Sequence, residues 1–266
     1  MRTRGNLGRY KAHCVVGGLL AVAAHLCCAA EAASSAPNSA LAGIWQIQAP
    51  LSAVLTTSGE EPPLRASAAA VYREHLAARK QGDTSFDNTT WCASAGMPRL
   101  MFINSPFEII IGPRHVAFMH EWNWWAHIVY LKGGLTATAA PREPQASTAQ
   151  ANISGLPPVQ NVMIPGPVGI SRGEWSGGDL VVETDHLVDT TLLDNSGIPH
   201  SDALRLTERI HLNGPDVLED HMRLDDPQTF TRPWETVVTY QRKPGARIHE
   251  DVCLDRIKAG GTALAE

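Results

Sequence analysis

Three side chains, Glu121, His127 and His200, stand where a proton could be moved. In Met119-His120-Glu121-Trp122-Asn123-Trp124-Trp125-Ala126-His127, an extended strand puts Glu121, Asn123, Trp125 and His127 on one face and His120, Trp122, Trp124 and Ala126 on the other. A carboxylate and an imidazole beside tryptophans suit acid–base work. Desolvation lifts a carboxylate toward neutral pH, and an imidazole already titrates there. The first face is taken as inward; the opposite choice buries His120 and leaves Glu121 solvated. His200, in Pro199-His200-Ser201, sits where a loop enters a strand and can reach over the end of a sheet. Its plainer reading is a turn histidine bonded to backbone, with Ser201 or Asp202 capping the turn. Glu121, His127 and His200 are therefore the expected catalytic residues, and Asn123, Trp125, Glu208 and Trp234 the expected substrate-binding ones.

Other chemistries find less support. The histidines and cysteines show no HExxH, CxxC or His-x-His spacing, so neither a metal nor an organic cofactor is expected. The alternative is a metal set gathered from distant strands by His127, His200 and His221. His120 and His127, seven residues apart, fall on opposite faces of a regular strand. Gly169-Ile170-Ser171-Arg172-Gly173 has the letters of a nucleophile elbow, but a hairpin turn follows where the elbow needs a helix. Asp225-Asp226-Pro227 reads as a turn whose carboxylates tie down backbone amides or pair with Arg209 or Arg223.

The elements that must hold these residues are mostly strands. Gly43–Ile47, Leu100–Ile103, Phe107–Ile111 and one long strand from His115 to Leu131 precede Ile170–Trp175, Leu180–Thr184, Leu204–Leu212, Val217–Leu224 and Trp234–Arg242. Ser176-Gly177-Gly178-Asp179 and Asn213-Gly214-Pro215-Asp216 are hairpin turns, since glycine accepts the positive φ that tight turns require. Leu64 to Lys80 repeats apolar residues at helical spacing and is expected to cover the sheet. Residues 132–172, rich in Ala, Pro, Gly, Ser and Thr, are read as a flexible insertion or lid. A short extended piece at His249–Cys253 and a frayed tail over 257–266 end the chain. So many strands joined by hairpins remove their edges best by closing, which gives an all-β, antiparallel barrel with one N-terminal covering helix and one long loop insertion.

The first 32 residues read as a signal peptide: Arg2, Arg4, Arg9 and Lys11, then an apolar stretch from Cys14 to Cys28, then small residues around Ala30 to Ala33. A periplasmic or secreted protein follows, without stable membrane insertion once the leader is cut. The barrel domain is then 33–256, and the chain after the leader carries 18 Lys and Arg against 26 Asp and Glu, a formal charge of −8. Nucleic acid is excluded as a partner by that charge. Three of the five cysteines leave with the leader, and Cys92 and Cys253 are expected to pair, tying the start of the barrel region to its last strand.

Gly43-x-Trp45, Cys92 with Gly96-Met97-Pro98-Arg99, Gly169-x-Ser171-x-Gly173-x-Trp175, Gly178 to Thr184, Pro199-His200-Ser201, Glu208-Arg209, Asp225-Asp226-Pro227 and Pro233-Trp234 resemble a bacterial exported lipocalin-like, or calycin-like, β-barrel family. The resemblance spans Cys92 to Cys253. It departs at His127, where relatives carry an Arg late in the strand, and in the length of the 132–172 insertion. It implies a barrel and an export route but little chemistry. Two functions fit the residues. One is a cofactor-independent acid–base enzyme, a lyase, isomerase, cyclase or hydratase, acting on an apolar or aromatic small molecule. The other is a non-catalytic carrier of such a molecule.

Overall fold

Strands whose apolar residues recur every second position must bury one face, and here they do so by closing a ring. The protein is described from a computed structural model that covers residues 37–132 and 165–264. Among these residues nine strands run β1 (Gly43–Ile47), β2 (Phe107–Ile111), β3 (His115–His120), β4 (Ala126–Leu131), β5 (Ile170–Ser176), β6 (Asp179–Asp185), β7 (Arg205–Leu212), β8 (Val217–Asp225) and β9 (Trp234–Arg242). They hydrogen-bond in chain order and β9 returns to β1, so the barrel has no open edge. Eight pairings are antiparallel and β4–β5 is parallel. Parallel neighbours cannot be joined by a tight turn, which accounts for the length of the stretch after Lys132. Whether residues 133–164 form a lid, and whether the leader is cleaved, are expectations that lie outside the described residues.

The inward face can be read off the alternation. Leu206, Glu208 and Ile210 of β7, Leu218, Asp220, Met222 and Leu224 of β8, and Trp234, Thr236, Val238 and Tyr240 of β9 are buried, while their neighbours reach outward. At β5, Gly173 is needed because a Cβ there would sit 2.5 Å from Val129 on the parallel neighbour.

Three expected elements differ. The strand from His115 to Leu131 is a hairpin: Asn123 and Trp124 take positive φ (52° and 54°), and His120 N donates to Trp125 O across the corner. Leu100–Ile103 is a 3-10 turn, Arg99–Phe102, inside a segment buried from Ala95 to Ile103. An apolar run buried on every side carries no strand signal of its own. The piece near His249 is not a strand; α2 (Cys253–Lys258) begins at the cysteine.

The covering helix, α1 (Ala66–Lys80), docks on the β6–β7 loop, where Tyr72 Oη donates to Ser196 Oγ at 2.9 Å and His75 Nδ1 meets Gly197 O at 2.7 Å. Three carboxylates pin the loops around the barrel. Asp87 forms a bidentate pair with Arg99 at 2.7 and 2.8 Å, both side chains 1% exposed. Asp194 accepts from Val54 N, Ser196 N and Gly197 N. Asp226 accepts from Ser201 N, Ser201 Oγ, Gln228 N and Thr229 N, which is the turn role its Asp-Pro context suggested, without Arg209 or Arg223. The Cys92–Cys253 disulfide is formed, but it joins the loop before the 3-10 turn to α2 rather than to the last strand. The tail, expected to fray from 257, is held as far as Leu264: Trp122 Nε1 donates to Ala263 O at 2.9 Å and Arg256 grips Thr262 O and Ala263 O.

Candidate functional site

The barrel interior carries polar groups on opposite walls. In a ring of nine strands, β3 and β4 lie three or four places from β7 and β8. The first pair supplies His120 and His127, the second Glu208 and Asp220, and all four are buried. Between them run Phe107, Phe118 and Tyr240. Tyr240 stands edge-on to Phe107 at 5.1 Å, Phe107 lies against His120 at 5.2 Å, and Phe118 stacks on His127 at 5.4 Å.

His127 is fixed by a chain of hydroxyls: its Nε2 is 2.7 Å from Ser171 Oγ, which is 2.7 Å from Thr184 Oγ1. Its Nδ1 and the Nε2 of His120 have no protein partner. Burial holds both imidazoles neutral, His127 down to about 4 and His120 down to about 3, the latter also disfavoured by its neighbour's charge.

Glu208 and Asp220 are diagonal neighbours on adjoining strands, because Glu208 faces Met222 and Ile210 faces Asp220 in the register. The two carboxyl groups lie within hydrogen-bond reach of each other, a contact that needs a proton on one of them, and their four oxygens meet no other protein donor. Burial raises both: Asp220 is pushed up to about 7 and Glu208 lies well above the carboxylate range, raised further by the Asp220 charge. The Tyr240 hydroxyl donates to Met101 O at 3.2 Å and is kept protonated by burial and by the two acids. Trp234 Nε1, from the inward row of β9, is also buried without a partner.

Buried polar atoms are rarely left unpartnered, and when several are, water or a ligand is the usual explanation. A barrel of about eight strands has room for packed side chains or one small ligand, and nine strands sit at that size. Such a barrel could hold a small-molecule pocket, and the carboxyl pair, two ring nitrogens and one indole N–H are the polar groups its interior presents.

The expected site residues are placed unequally. His127, Glu208 and Trp234 reach the interior. Glu121 lies at the β3–β4 corner, where its Oε2 accepts from His249 N at 2.7 Å. Asn123, at the same corner, spends its side chain on Cys92 O and Cys253 N, bracing the disulfide. Trp125 ends that corner with its indole nitrogen buried and unpartnered. The chain turns between Glu121 and His127, so these residues do not share a strand face, and the same turn brings His120 and His127 inward together rather than to opposite faces. His200 is buried in the β6–β7 loop, its Nε2 2.8 Å from Thr191 Oγ1 and its Nδ1 3.0 Å from Ser201 O, the turn role named as its plainer reading. No hydrogen bond or ion pair among the described residues links Glu121, His127 and His200. Nor do His127, His200 and His221 form a set, because His221 points outside the barrel.

Asp220, His120 and Tyr240 were missed. Asp220 had a legible signal: in Leu218-x-Asp220-x-Met222-x-Leu224 an acid occupies an apolar-face position, as Glu208 does between Leu206 and Ile210. The closed barrel is compatible with a lipocalin-like fold. Compared with family models, curated proteins and solved structures, the chain matches none.

Proposed function

We propose that the barrel interior is an acid–base site for a small molecule with an apolar or aromatic body and hydrogen-bonding groups at both ends, and that the protein is a cofactor-independent lyase or isomerase of the lipocalin-like, exported kind. The observation that carries this reading is the buried Glu208–Asp220 pair, whose oxygens meet no protein donor except each other. Two carboxyls that resist ionisation together hold a proton at neutral pH, as one acid and one base. The protonated group donates to a carbonyl or departing oxygen, and the ionised one accepts a proton from carbon or hydroxyl. Across the barrel the neutral imidazoles of His120 and His127 offer hydrogen bonds without adding charge, His127 oriented by Ser171 and Thr184. Phe107, Phe118 and Trp234 supply the apolar surface, and burial excludes water from the proton's path. The disulfide fits an oxidising compartment, and no helix among the described residues is long and apolar enough to cross a membrane.

One observation favours a carrier instead: the imidazoles and the acids stand on opposite walls, and no hydrogen bond joins them. A two-stage experiment separates the readings. Native mass spectrometry of the purified chain identifies what the barrel holds. The captured molecule is then incubated with protein in D2O. Deuterium on carbon, or conversion, that disappears in Asp220→Asn and Glu208→Gln supports the enzyme. Capture with no exchange or conversion in the wild type leaves the carrier and refutes catalysis.

A further inference from the structure

The β7–β8 hairpin carries a second polar cluster on the outside of the barrel. The Asn213–Asp216 turn sets a register in which His211 faces Glu219 and Arg209 faces His221. Glu219 and His221, two apart on one strand, share the outer face with His211. Oε2 of Glu219 lies 3.5 Å from His211 Nε2 and 3.2 Å from His221 Nε2, and the two imidazole centroids are 5.0 Å apart with planes at 42°. One donor atom from each of the three residues lies within 4.8 Å of the other two. The remaining carboxylate oxygen, Oε1, accepts from Asn213 Nδ2 at 2.7 Å, which turns Oε2 toward the imidazoles. Arg209, the cation across the ladder from His221, is engaged by Asp179 at 2.7 Å.

The two nitrogen–oxygen separations match edges of a small tetrahedral site. With metal–ligand bonds of about 2.0–2.1 Å, neighbouring donors of a tetrahedron stand about 3.3–3.4 Å apart, and both nitrogen–oxygen distances fall near that value. An octahedral ion with similar bonds needs donors about 2.9 Å apart. Two imidazoles and one carboxylate are also a common three-residue zinc set, with the fourth position left to water. Asn213 holds the carboxylate as an outer-sphere partner does.

We propose that His211, Glu219 and His221 bind a divalent transition-metal ion of the zinc class at the outer surface of the β7–β8 hairpin. The ion would staple together the two strands whose inner faces present Glu208 and Asp220. His221, its side chain 46% exposed, gives the ion access from solvent.

Calorimetric titration of the purified chain with zinc chloride, paired with thermal melts, tests this. One ion per chain is expected, with a zinc-dependent rise in melting temperature. His211→Ala and His221→Ala should each weaken binding at least tenfold and remove that rise, while His249→Ala, an exposed histidine elsewhere, leaves both unchanged. His221 can be truncated without touching the core, so it decides the matter even if His211→Ala fails to fold. The proposal is overturned by absence of zinc binding, or by binding that His221→Ala leaves intact.

Discussion

Replacing Asp220 by Asn removes a buried ionisable group while keeping its shape, and the consequence should be a change in how stability depends on pH. In the folded barrel burial lifts Asp220 from 3.8 to about 7. A raised acid stabilises the fold fully below its unfolded value, and that contribution is lost as pH rises toward the folded value. At about 1.4 kcal/mol per unit, the wild type should lose about 3 kcal/mol between about pH 4.5 and 7.5 that Asp220→Asn does not lose. His120, His127 and His200, all lowered by burial, act in the opposite sense, costing stability as pH falls below about 6.5. Their effect is common to both proteins and cancels in the difference. Glu208 is raised chiefly by burial, a cause that Asp220→Asn leaves in place. The assay is urea unfolding of the two proteins at matched pH values, with free energies from linear extrapolation. The variant should gain on the wild type by about 3 kcal/mol across the range. A difference that stays flat with pH would refute the reasoning, since it would mean that Asp220 is already ionised at low pH and compensated by a cation or by water.

Asp87→Asn should cost about 3–5 kcal/mol, because it strands the fully buried Arg99 guanidinium; chemical denaturation measures it, and a loss under 1 kcal/mol would show the pair to be hydrated. Cys92→Ser should lower stability by about 2–5 kcal/mol, since the bond closes a loop across 161 positions, and the same loss should follow reduction of the wild type by dithiothreitol. Gly173→Ala places a methyl 2.5 Å from Val129 at the parallel seam, so thermal melts should show a cost of about 1–3 kcal/mol. Equal stability would mean that β4 and β5 separate more easily than their register implies.

The barrel was legible where local chemistry and global fold agree. Gly177-Gly178 and Asn213-Gly214 marked their hairpins, and the alternation in β7, β8 and β9 gave those strands to within a residue or two. The corner at 121–125 was not, because it contains neither glycine nor proline. Asn123, a residue that tolerates positive φ, was the only cue against an otherwise unbroken strand. That one turn undid the shared face of Glu121 and His127 and brought His120 inward. The 95–103 segment misled for another reason: it is apolar because other loops bury it, not because it enters the sheet. Half of the acid pair was expected, since Glu208 follows Pro199-His200-Ser201 into its strand; looking for an acid in an apolar row, as in Leu206-x-Glu208-x-Ile210 and Leu218-x-Asp220-x-Met222, finds both halves. The exterior His211–Glu219–His221 set depends on hairpin register, and spacing rules within one strand do not register ligands contributed by two.

If the interior polar groups face an occupant, an atomic-resolution crystal structure of the purified protein will show density for it between the β3–β4 and β7–β8 walls. An ordered small molecule, or ordered water, should lie within hydrogen-bond distance of Glu208, Asp220, His120 Nε2 and Trp234 Nε1. A dry interior with the two carboxyl groups turned onto protein donors would contradict it.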